Sequence, residues 1–271
     1  QVSAFEHAID RKSWDSLEHR VARNMDKIFD IFSCANVKAT FFILGWVAER
    51  YPDIVKKIIE NGHGLASHGY GHQRVSDLSR DQFKQDLIHA KQILEDISGS
   101  LIKGYRAPSY SIGKANIWAL EVLAETGHEY SSSIYPVKHD HYGYPGAPRF
   151  AFKDEKTGLI EIPITTMKVF SRLLPAGGGG FFRFYPYALS KWAINRVNTS
   201  ERQPAVFYLH PWELDPQQPR QKNISSKSRF RHYLNLNKTE PRLIRLLSDF
   251  EWGKIDDVFI KGMDIKSHPL S

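Results

Sequence analysis

The chain has 271 residues, 41% of them hydrophobic, which is enough to bury one substantial core and suits a single domain. Its formal net charge of +7 is spread along the sequence rather than gathered in one block, so we expect no nucleic-acid partner. The absence of any run of about 18 apolar residues excludes a transmembrane helix, and no signal-type segment begins the chain.

Helical and extended patterns alternate from the N-terminus onward. Apolar residues at helical spacing predict a helix over residues 16–32, and the segment 38–44 (KATFFIL) is predicted to be a buried strand. The single cysteine, Cys34, falls in this apolar helical pattern, so we expect a packed thiol rather than a nucleophile, and no internal disulfide. Three further helix and strand pairs are predicted over 52–60 and 63–67, 80–97 and 104–107, and 115–126 and 129–132.

The second half of the chain continues the alternation before its character changes. Strands are predicted over 159–164 and 205–209, with a helix over 186–197 between them and a flexible glycine turn at 177–180. After Pro211 the segments are a polar, proline-rich stretch over 215–220, a helix over 240–250 and a short strand around Val258. Repeated units of this length predict an α/β fold with a parallel sheet, doubly wound or closed into a barrel. We expect one domain over 1–271, with 215–271 as a C-terminal extension.

Two histidines, His68 and His72, follow the predicted strand 63–67 within the segment GHGLASHGYGH (62–72). The carboxyl ends of parallel strands are where such folds build active sites. Two imidazoles four positions apart can converge on one cation if the turn between them is helical, and catalytic Zn²⁺ takes three protein ligands and a water. Because 12 histidines make such pairs common by chance, surface or core roles stay open. We expect the earlier His63 to be structural.

Two more polar side chains stand at predicted strand ends. Arg106, in RAPSY (106–110), is suited to orienting a carboxylate through a bidentate pair. His210, in YLHPW (208–212), is suited to delivering a proton to a leaving group. Taken singly, a structural ion pair for Arg106 and a hydrogen-bonded core histidine for His210 are the simpler interpretations.

The motifs taken together are more specific than any one of them. In chain order, TFF (40–42), GHGLASHGYGH, RAPSY, YSSSIYP (130–136) and LHPWE (209–213) resemble the motif series of the polysaccharide deacetylases, the NodB-type carbohydrate esterases. The segments HDHYG (139–143), HPWELDPQQPR (210–220) and NLNKTEPRLIRLLSDF (235–250) resemble the subgroup associated with exosortase and PEP-CTERM exopolysaccharide loci. The resemblance implies a distorted (β/α) barrel and a metal-dependent hydrolase that removes N-acetyl groups from a polysaccharide containing N-acetylhexosamine.

The resemblance also implies roles for individual residues. His68 and His72 become metal ligands, with Zn²⁺ the expected cation. Arg106 becomes the partner of a catalytic carboxylate, and His210 becomes the general acid. We further expect this enzyme to serve exopolysaccharide biosynthesis, a process of the bacterial envelope, and we favour a cytoplasmic location.

Substrate contacts are implied at the same predicted edge. Leu209 is expected to line a pocket for the acetyl methyl group, and backbone N–H groups near Tyr110 are expected to stabilise the oxyanion. Aromatic rings at strand ends are suited to stacking on sugars. The aromatic residues in question are Tyr110, Tyr135, Phe181, Phe182 and Trp212.

The sequence departs from the family pattern in its acidic residues. The family's first motif, an acidic pair that supplies the general base and the third metal ligand, is expected upstream of Gln1. We therefore expect residues 1–271 alone to bind metal weakly and to be inactive or nearly so. If the base does lie within these residues, Asp10, Asp15 and Asp140 are the first candidates.

Two other positions also depart from the pattern. The aromatic residue of the arginine motif, Tyr110, stands one residue late, behind Ser109. Ser131 occupies the position where many members have an aspartate that orients the catalytic histidine. The orientation of His210 is then left to Asp140 or to a residue outside these motifs.

Two alternative functions stay open at this point. One is hydrolysis of a different C–N bond, such as a small cyclic amide, which a closed pocket would favour and an open groove would oppose. The other is a sugar-binding module whose catalytic site is dead. Metal content distinguishes the second alternative, because a binding module has no need to hold a cation on His68 and His72.

Overall fold

A mostly parallel β-sheet lies at the centre of the structure, a computed structural model that describes residue 5 and residues 8–138 and 143–270. Over these residues the seven strands lie in the order β1-β2-β3-β4-β6-β5-β9. The first four strands and β6 run parallel, while β5 runs antiparallel to β6. The strands are β1 (Thr40–Ile43), β2 (Gly64–Ser67), β3 (Gly104–Tyr105), β4 (Tyr130–Ser131), β5 (Phe152–Asp154), β6 (Ile160–Glu161) and β9 (Ser267–His268), and a separate hairpin joins β7 (Thr166–Val169) to β8 (Arg172–Pro175).

Helices connect the first four parallel strands, as expected for an α/β fold, and capping signals mark both ends of α4. In α4, Ser79 and Gln82 form a capping box at the start, and Gly99 ends the helix in the left-handed conformation. None of the helices in the described part of the chain is long and apolar enough to cross a membrane. The helices are α1 (Val21–Cys34), α2 (Gly45–Arg50), α3 (Pro52–Glu60), α4 (Arg80–Ser98), α5 (Ala119–Glu125), α6 (Gly179–Phe184), α7 (Tyr187–Thr199), α8 (Ser226–Tyr233) and α9 (Leu236–Asp249).

The sheet register brings several strand ends together at one edge. Ser67 at the end of β2 pairs with Tyr105 at the end of β3, and Tyr105 pairs with Ser131 at the end of β4. The residues that follow these strands therefore emerge side by side. The predicted strand 205–209 is reduced to one parallel bridge between Tyr208 and Gly178. These observations confirm the predicted α/β class with its parallel sheet.

Hydrophobic clusters lie on both faces of β1, because successive side chains of a strand point to opposite sides. Phe41 packs into a cluster with α1 and α3, whereas Phe42 packs into a second cluster with Tyr130 and Val206. Leu243 of α9 belongs to the same cluster as Phe41. The C-terminal extension therefore packs directly onto the sheet and its first helix.

Three sequence predictions are corrected by the structure. Cys34 is exposed rather than packed, because it is the last residue of α1 and lies beyond the buried Phe32. The segment around Val258 forms a helical turn (Asp256–Ile260) rather than a strand, since so short an apolar run does not fix a period. The glycines at 177–180 are not merely a flexible turn: Gly178 packs on Tyr208, and α6 begins at the next residue.

Candidate active site

The rings of the two histidines that follow β2 lie close together. The centroids of the His68 and His72 rings are 5.1 Å apart, with an interplanar angle of 73°. The turn between them is not helical, because Gly69 (φ 75°) and His72 (φ 57°) adopt the left-handed conformation. The carboxylate of Asp86 in α4 accepts the Tyr70 N–H at 3.2 Å, and this contact holds the turn in place.

Both rings are neutral near pH 7, the form that binds a metal. Burial lowers the pKa of His68 to about 4, and the charges of Arg106 and His210 add to the effect. Burial also lowers the pKa of His72 well below its usual value, with further contributions from His68 and His210. His68 Nδ1 lies 2.7 Å from the carbonyl oxygen of Arg106. The proton is therefore on Nδ1, and Nε2 keeps its lone pair.

This arrangement fits part of a metal site. A ligating histidine usually donates its other N–H to a carbonyl or carboxylate, as His68 does here. Over residues 8–138 and 143–270, no third His, Cys, Asp or Glu joins the pair. Asp10 caps the turn Arg11–Ser16, and Asp15 forms a 2.7 Å ion pair with Arg50. The remaining acidic candidate, Asp140, lies outside the described residues.

Arg106 follows β3 at the same edge, and its guanidinium is held in a defined position. Nε donates to the Ser132 carbonyl oxygen at 3.0 Å, and a terminal nitrogen donates to the Ser132 hydroxyl at 2.7 Å. The guanidinium carbon lies 4.1 Å from the centroid of the Phe42 ring. Its predicted pairing with a catalytic carboxylate stays a prediction.

His210 lies directly after the Tyr208 bridge, and Glu213 binds it twice. One Glu213 carboxylate oxygen lies 2.8 Å from His210 Nδ1 and also accepts the His210 backbone N–H at 2.9 Å. The other oxygen accepts a 2.7 Å hydrogen bond from Arg183 Nε. Burial alone would raise the pKa of Glu213, but the hydrogen bond and charge of His210 and the charge of Arg183 hold it at about 2. Glu213 is therefore a carboxylate at neutral pH.

The contact between Glu213 and His210 was not predicted from the sequence, and the effect of Ser131 on the orientation of His210 was left open. Ser131 donates its hydroxyl hydrogen to the Ser133 hydroxyl at 2.7 Å and is fully buried. The carboxylate next to His210 belongs to Glu213 instead. The sequence carried a signal for this contact. In a capping box, the residue before a helical turn pairs with a Glu or Gln three positions later, and His210 and Glu213 have this spacing.

Oxyanion stabilisation by backbone N–H groups near Tyr110 stays a prediction, and one of these groups already has a partner. The Tyr110 backbone N–H donates to the Ala107 carbonyl oxygen at 3.1 Å, so this N–H group is not directed at a substrate. The Tyr110 ring is largely buried, with Tyr135 5.4 Å and Tyr208 5.2 Å away between centroids. Tyr135 itself is fully buried and therefore belongs to the core.

The other residues predicted to contact substrate differ in the groups they pack against. Leu209 packs against the cluster that contains Phe41. The Tyr208 ring lies beside both Tyr110 and His210. One face of Trp212 stacks on His232, with 4.0 Å between centroids and an angle of 11°. Sugar contacts through Tyr110, Leu209 and Trp212 stay predictions. Phe182 is buried and belongs to the core.

Comparisons with known proteins divide the chain into two parts, with His68, His72 and Arg106 in the first part and His210 in the second. Residues 13–131 match the polysaccharide deacetylase family, and residues 132–260 match a domain of unknown function (DUF3473). The peptidoglycan-N-acetylglucosamine deacetylase of Bacillus cereus is 38% identical over 96 residues, which cover 35% of this chain and 35% of that protein. The chain spans about a third of the length of the curated relatives it matches.

Solved structures show the same fold at low sequence identity. A polysaccharide-deacetylase-type protein of Mycobacterium smegmatis has a TM-score of 0.60 and 18% identity, over 92% of this chain and 80% of that one. A family 4 carbohydrate esterase of Streptomyces lividans, in complex with acetate, has a TM-score of 0.53 and 14% identity, over 90% of this chain and 92% of that one. Residues 13–131 are therefore similar to the polysaccharide deacetylase family, and the solved structures share the fold over about nine-tenths of the chain.

Proposed function

We propose that this protein is a metal-dependent hydrolase that removes N-acetyl groups from a polysaccharide containing N-acetylhexosamine. The observation that carries the proposal is the convergence of two neutral imidazoles, His68 and His72, at the sheet edge that also holds Arg106 and His210. The match of residues 13–131 to the polysaccharide deacetylases supports the same reaction.

The residues divide the chemistry between them. His68 and His72 would hold a divalent cation, with Zn²⁺ as the expected ion, and such a cation would supply polarisation of the amide carbonyl and activation of a water. The family resemblance assigns the third ligand of that cation and the general base to acidic residues. Arg106 orients the base, and His210, whose side chain is 49% exposed, gives a proton to the departing amine.

The biological setting is part of the same proposal. The resemblance of 210–220 and 235–250 to the exosortase-associated subgroup supports a role in exopolysaccharide biosynthesis in bacteria. We place the reaction in the cytoplasm, as a step of an envelope-associated process.

The proposal is tested through the metal content of the protein and the acetate it releases from an N-acetylglucosamine oligomer. His68→Ala and His72→Ala should each abolish stoichiometric metal binding, because each removes one of the few protein ligands. His210→Ala should keep the metal and lower turnover about 10²–10⁴-fold, because only proton transfer is lost.

A matched control is His268→Ala, which removes an exposed histidine from β9 at the far edge of the sheet and should change neither readout. Tight metal binding by both ligand variants would show that the cation lies elsewhere. Loss of metal from His210→Ala would make this residue a ligand. A metal-loaded wild-type protein that releases no acetate would overturn the activity itself.

A further inference from the structure

We propose that Glu213 is the residue that positions His210 for proton transfer, and that the C-terminal extension fixes Glu213 through Arg183. The inference rests on the proposed function, in which His210 is the proton donor. It assigns a task to a part of the chain for which the family comparison offers none, since Arg183, Glu213 and the extension up to residue 260 lie in the domain of unknown function.

His210 depends on Glu213 for its orientation. About half of the His210 side chain is exposed, and its ring stacks on Trp212 at 5.7 Å and 19°. A stacking contact allows the ring to flip, but a hydrogen bond to one ring nitrogen does not. Because one carboxylate oxygen accepts both the backbone N–H and Nδ1–H, Glu213 fixes the main chain and the ring together. Nε2 is then the nitrogen available for proton transfer.

Arg183 in turn gives Glu213 a single position. The two side chains are only 3% and 1% exposed, and they share a 2.7 Å hydrogen bond. A terminal nitrogen of Arg183 donates to the carbonyl oxygens of His232 at 2.7 Å and Leu234 at 3.0 Å. The His232 carbonyl group belongs to the last turn of α8, and the Leu234 carbonyl group belongs to the connection between α8 and α9. The guanidinium therefore bridges this connection and the carboxylate that binds His210.

The extension also holds the main chain of Arg183. Asn235 donates from its side-chain amide to the Arg183 carbonyl oxygen at 2.9 Å, and Arg242 of α9 donates to the same oxygen at 3.1 Å. Removing a buried ion pair from water costs about as much as its attraction returns, so the pair adds little net stability. The consequence of the ion pair is geometric, because Arg183 holds Glu213 in one orientation and Glu213 holds His210 in one orientation.

Charged and titratable groups surround His210 on each side. Glu213 and, behind it, Arg183 lie on the Nδ1 side. His68 and His72 are close enough to be influenced by the charge of His210. Glu213 is the group among these that binds the His210 ring directly.

Replacing Glu213 with glutamine separates these contacts at the level of atoms. Because Arg183 is the charged donor, its Nε–H keeps the amide oxygen, and the amide NH₂ then faces both the His210 backbone N–H, whose hydrogen bond is lost, and His210 Nδ1. Neutral His210 can accept a hydrogen from the amide only by moving its own proton to Nε2. Protonated His210 places its Nδ1–H against the amide NH₂, and both groups are donors. In the serine protease triad, the equivalent carboxylate-to-amide change costs about 10⁴-fold through the wrong tautomer.

The test compares Glu213→Gln with Asp215→Asn in the metal-loaded natural protein. Asp215 is a matched control, since it is 2% exposed and ion-paired but binds Arg20 and Arg23 of the α1 region instead of His210. Glu213→Gln should lower kcat about 10²–10⁴-fold with metal content and KM near wild type, and ¹⁵N NMR should show the His210 proton moving from Nδ1 to Nε2. Asp215→Asn should lower the Tm and leave kcat and the tautomer unchanged.

Two further variants keep the test decisive. Arg183→Lys keeps the charge but not the fork of donors, so the ring signals of His210 should change in the same direction with a smaller loss of kcat. Glu213→Asp keeps a carboxylate of shorter reach and serves if the glutamine variant does not fold. Wild-type kcat and an unchanged tautomer in either Glu213 variant would overturn the proposal. If the wild-type protein releases no acetate but Glu213→Gln still moves the proton, the reaction is wrong and the positioning role is supported.

Discussion

Three consecutive serines after Tyr130 have different partners although their side chains are identical. The Ser131 hydroxyl donates to Ser133, the Ser132 hydroxyl accepts from Arg106, and the Ser133 hydroxyl accepts the Ala107 N–H. Only Ser132 therefore touches a predicted site residue through its side chain. Residue type and spacing place these serines at a strand end but do not distinguish them. Ser132 and Ser133 each bind a partner that lies 26 residues away in the chain.

Removing the Ser132 hydroxyl should weaken catalysis by loosening Arg106. In Ser132→Ala, Arg106 keeps its 3.0 Å bond to the Ser132 carbonyl oxygen but loses the 2.7 Å bond to the hydroxyl. Loss of such a supporting contact costs about 10–100-fold in comparable sites, so we expect acetate release to fall by at least about 10-fold with metal content unchanged.

The neighbouring change Ser131→Ala is the control, since this hydroxyl does not bind Arg106. It should retain most of the activity. Equal losses in the two variants would show that general loosening of the buried serine segment, rather than the position of Arg106, controls the rate.

At the scale of single elements, local patterns were predictable and pairings were not. The helix Pro52–Glu60 is predicted with the observed bounds, because Ile54, Val55 and Ile58 recur at helical spacing within nine residues. The hairpin β7–β8 was missed, since its strands are held by each other and by packing against α7. The same distinction holds at the candidate site: the positions of His68 and Arg106 after strands were predictable, and their roles stay predictions. The local contact of Glu213 with His210 was also within reach of the sequence, whereas its contact with Arg183, 30 residues away, was not.

The pairing of β3 with β4 leads to a prediction about Gly104. Gly104 lies opposite Tyr130, and a Cβ on Gly104 would come within 2.1 Å of the tyrosine ring. Tyr130 is almost completely buried and has little room to move. Gly104→Ala should therefore lower the free energy of unfolding by about 1–3 kcal/mol, measured by urea denaturation.

The same substitution at Gly71 is a matched control. A Cβ there meets no atom within 4 Å, so Gly71→Ala should change the free energy of unfolding by less than about 0.5 kcal/mol. A wild-type stability for Gly104→Ala would mean that β3 and β4 separate more easily than their close approach implies.

At the scale of the whole molecule, the histidines in the interior make stability depend on pH. Burial lowers the pKa of His63 to about 4 and those of His128 and His232 to about 3. The unfolded chain binds these protons near pH 6.5, so acid destabilises the folded protein. Glu161 acts in the opposite direction, because burial raises its pKa and its contribution is lost as the pH rises. The net dependence is a sum of opposing terms, and single variants are needed to separate them.

His128→Phe isolates one of these terms. His128 is 4% exposed, and its ring packs on Tyr105. Burial, with the charge of Lys91, keeps its pKa at about 3, whereas the unfolded chain titrates near 6.5. Between these values the unfolded state binds the extra proton, so this histidine makes stability fall by about 1.4 kcal/mol for each unit that the pH is lowered. The phenylalanine variant should lack this contribution.

The measurement is urea denaturation of both proteins from pH 8 to pH 4, and the informative quantity is the difference between the two curves. Above about pH 7.5 His128 is neutral in both states, so the curves should run parallel whatever the phenylalanine adds or removes in packing. Below about pH 6 the wild-type protein should lose stability more steeply than the variant. Parallel curves across the whole range would show that His128 binds its proton equally well in the folded protein, and that the interior around Tyr105 admits a charged ring.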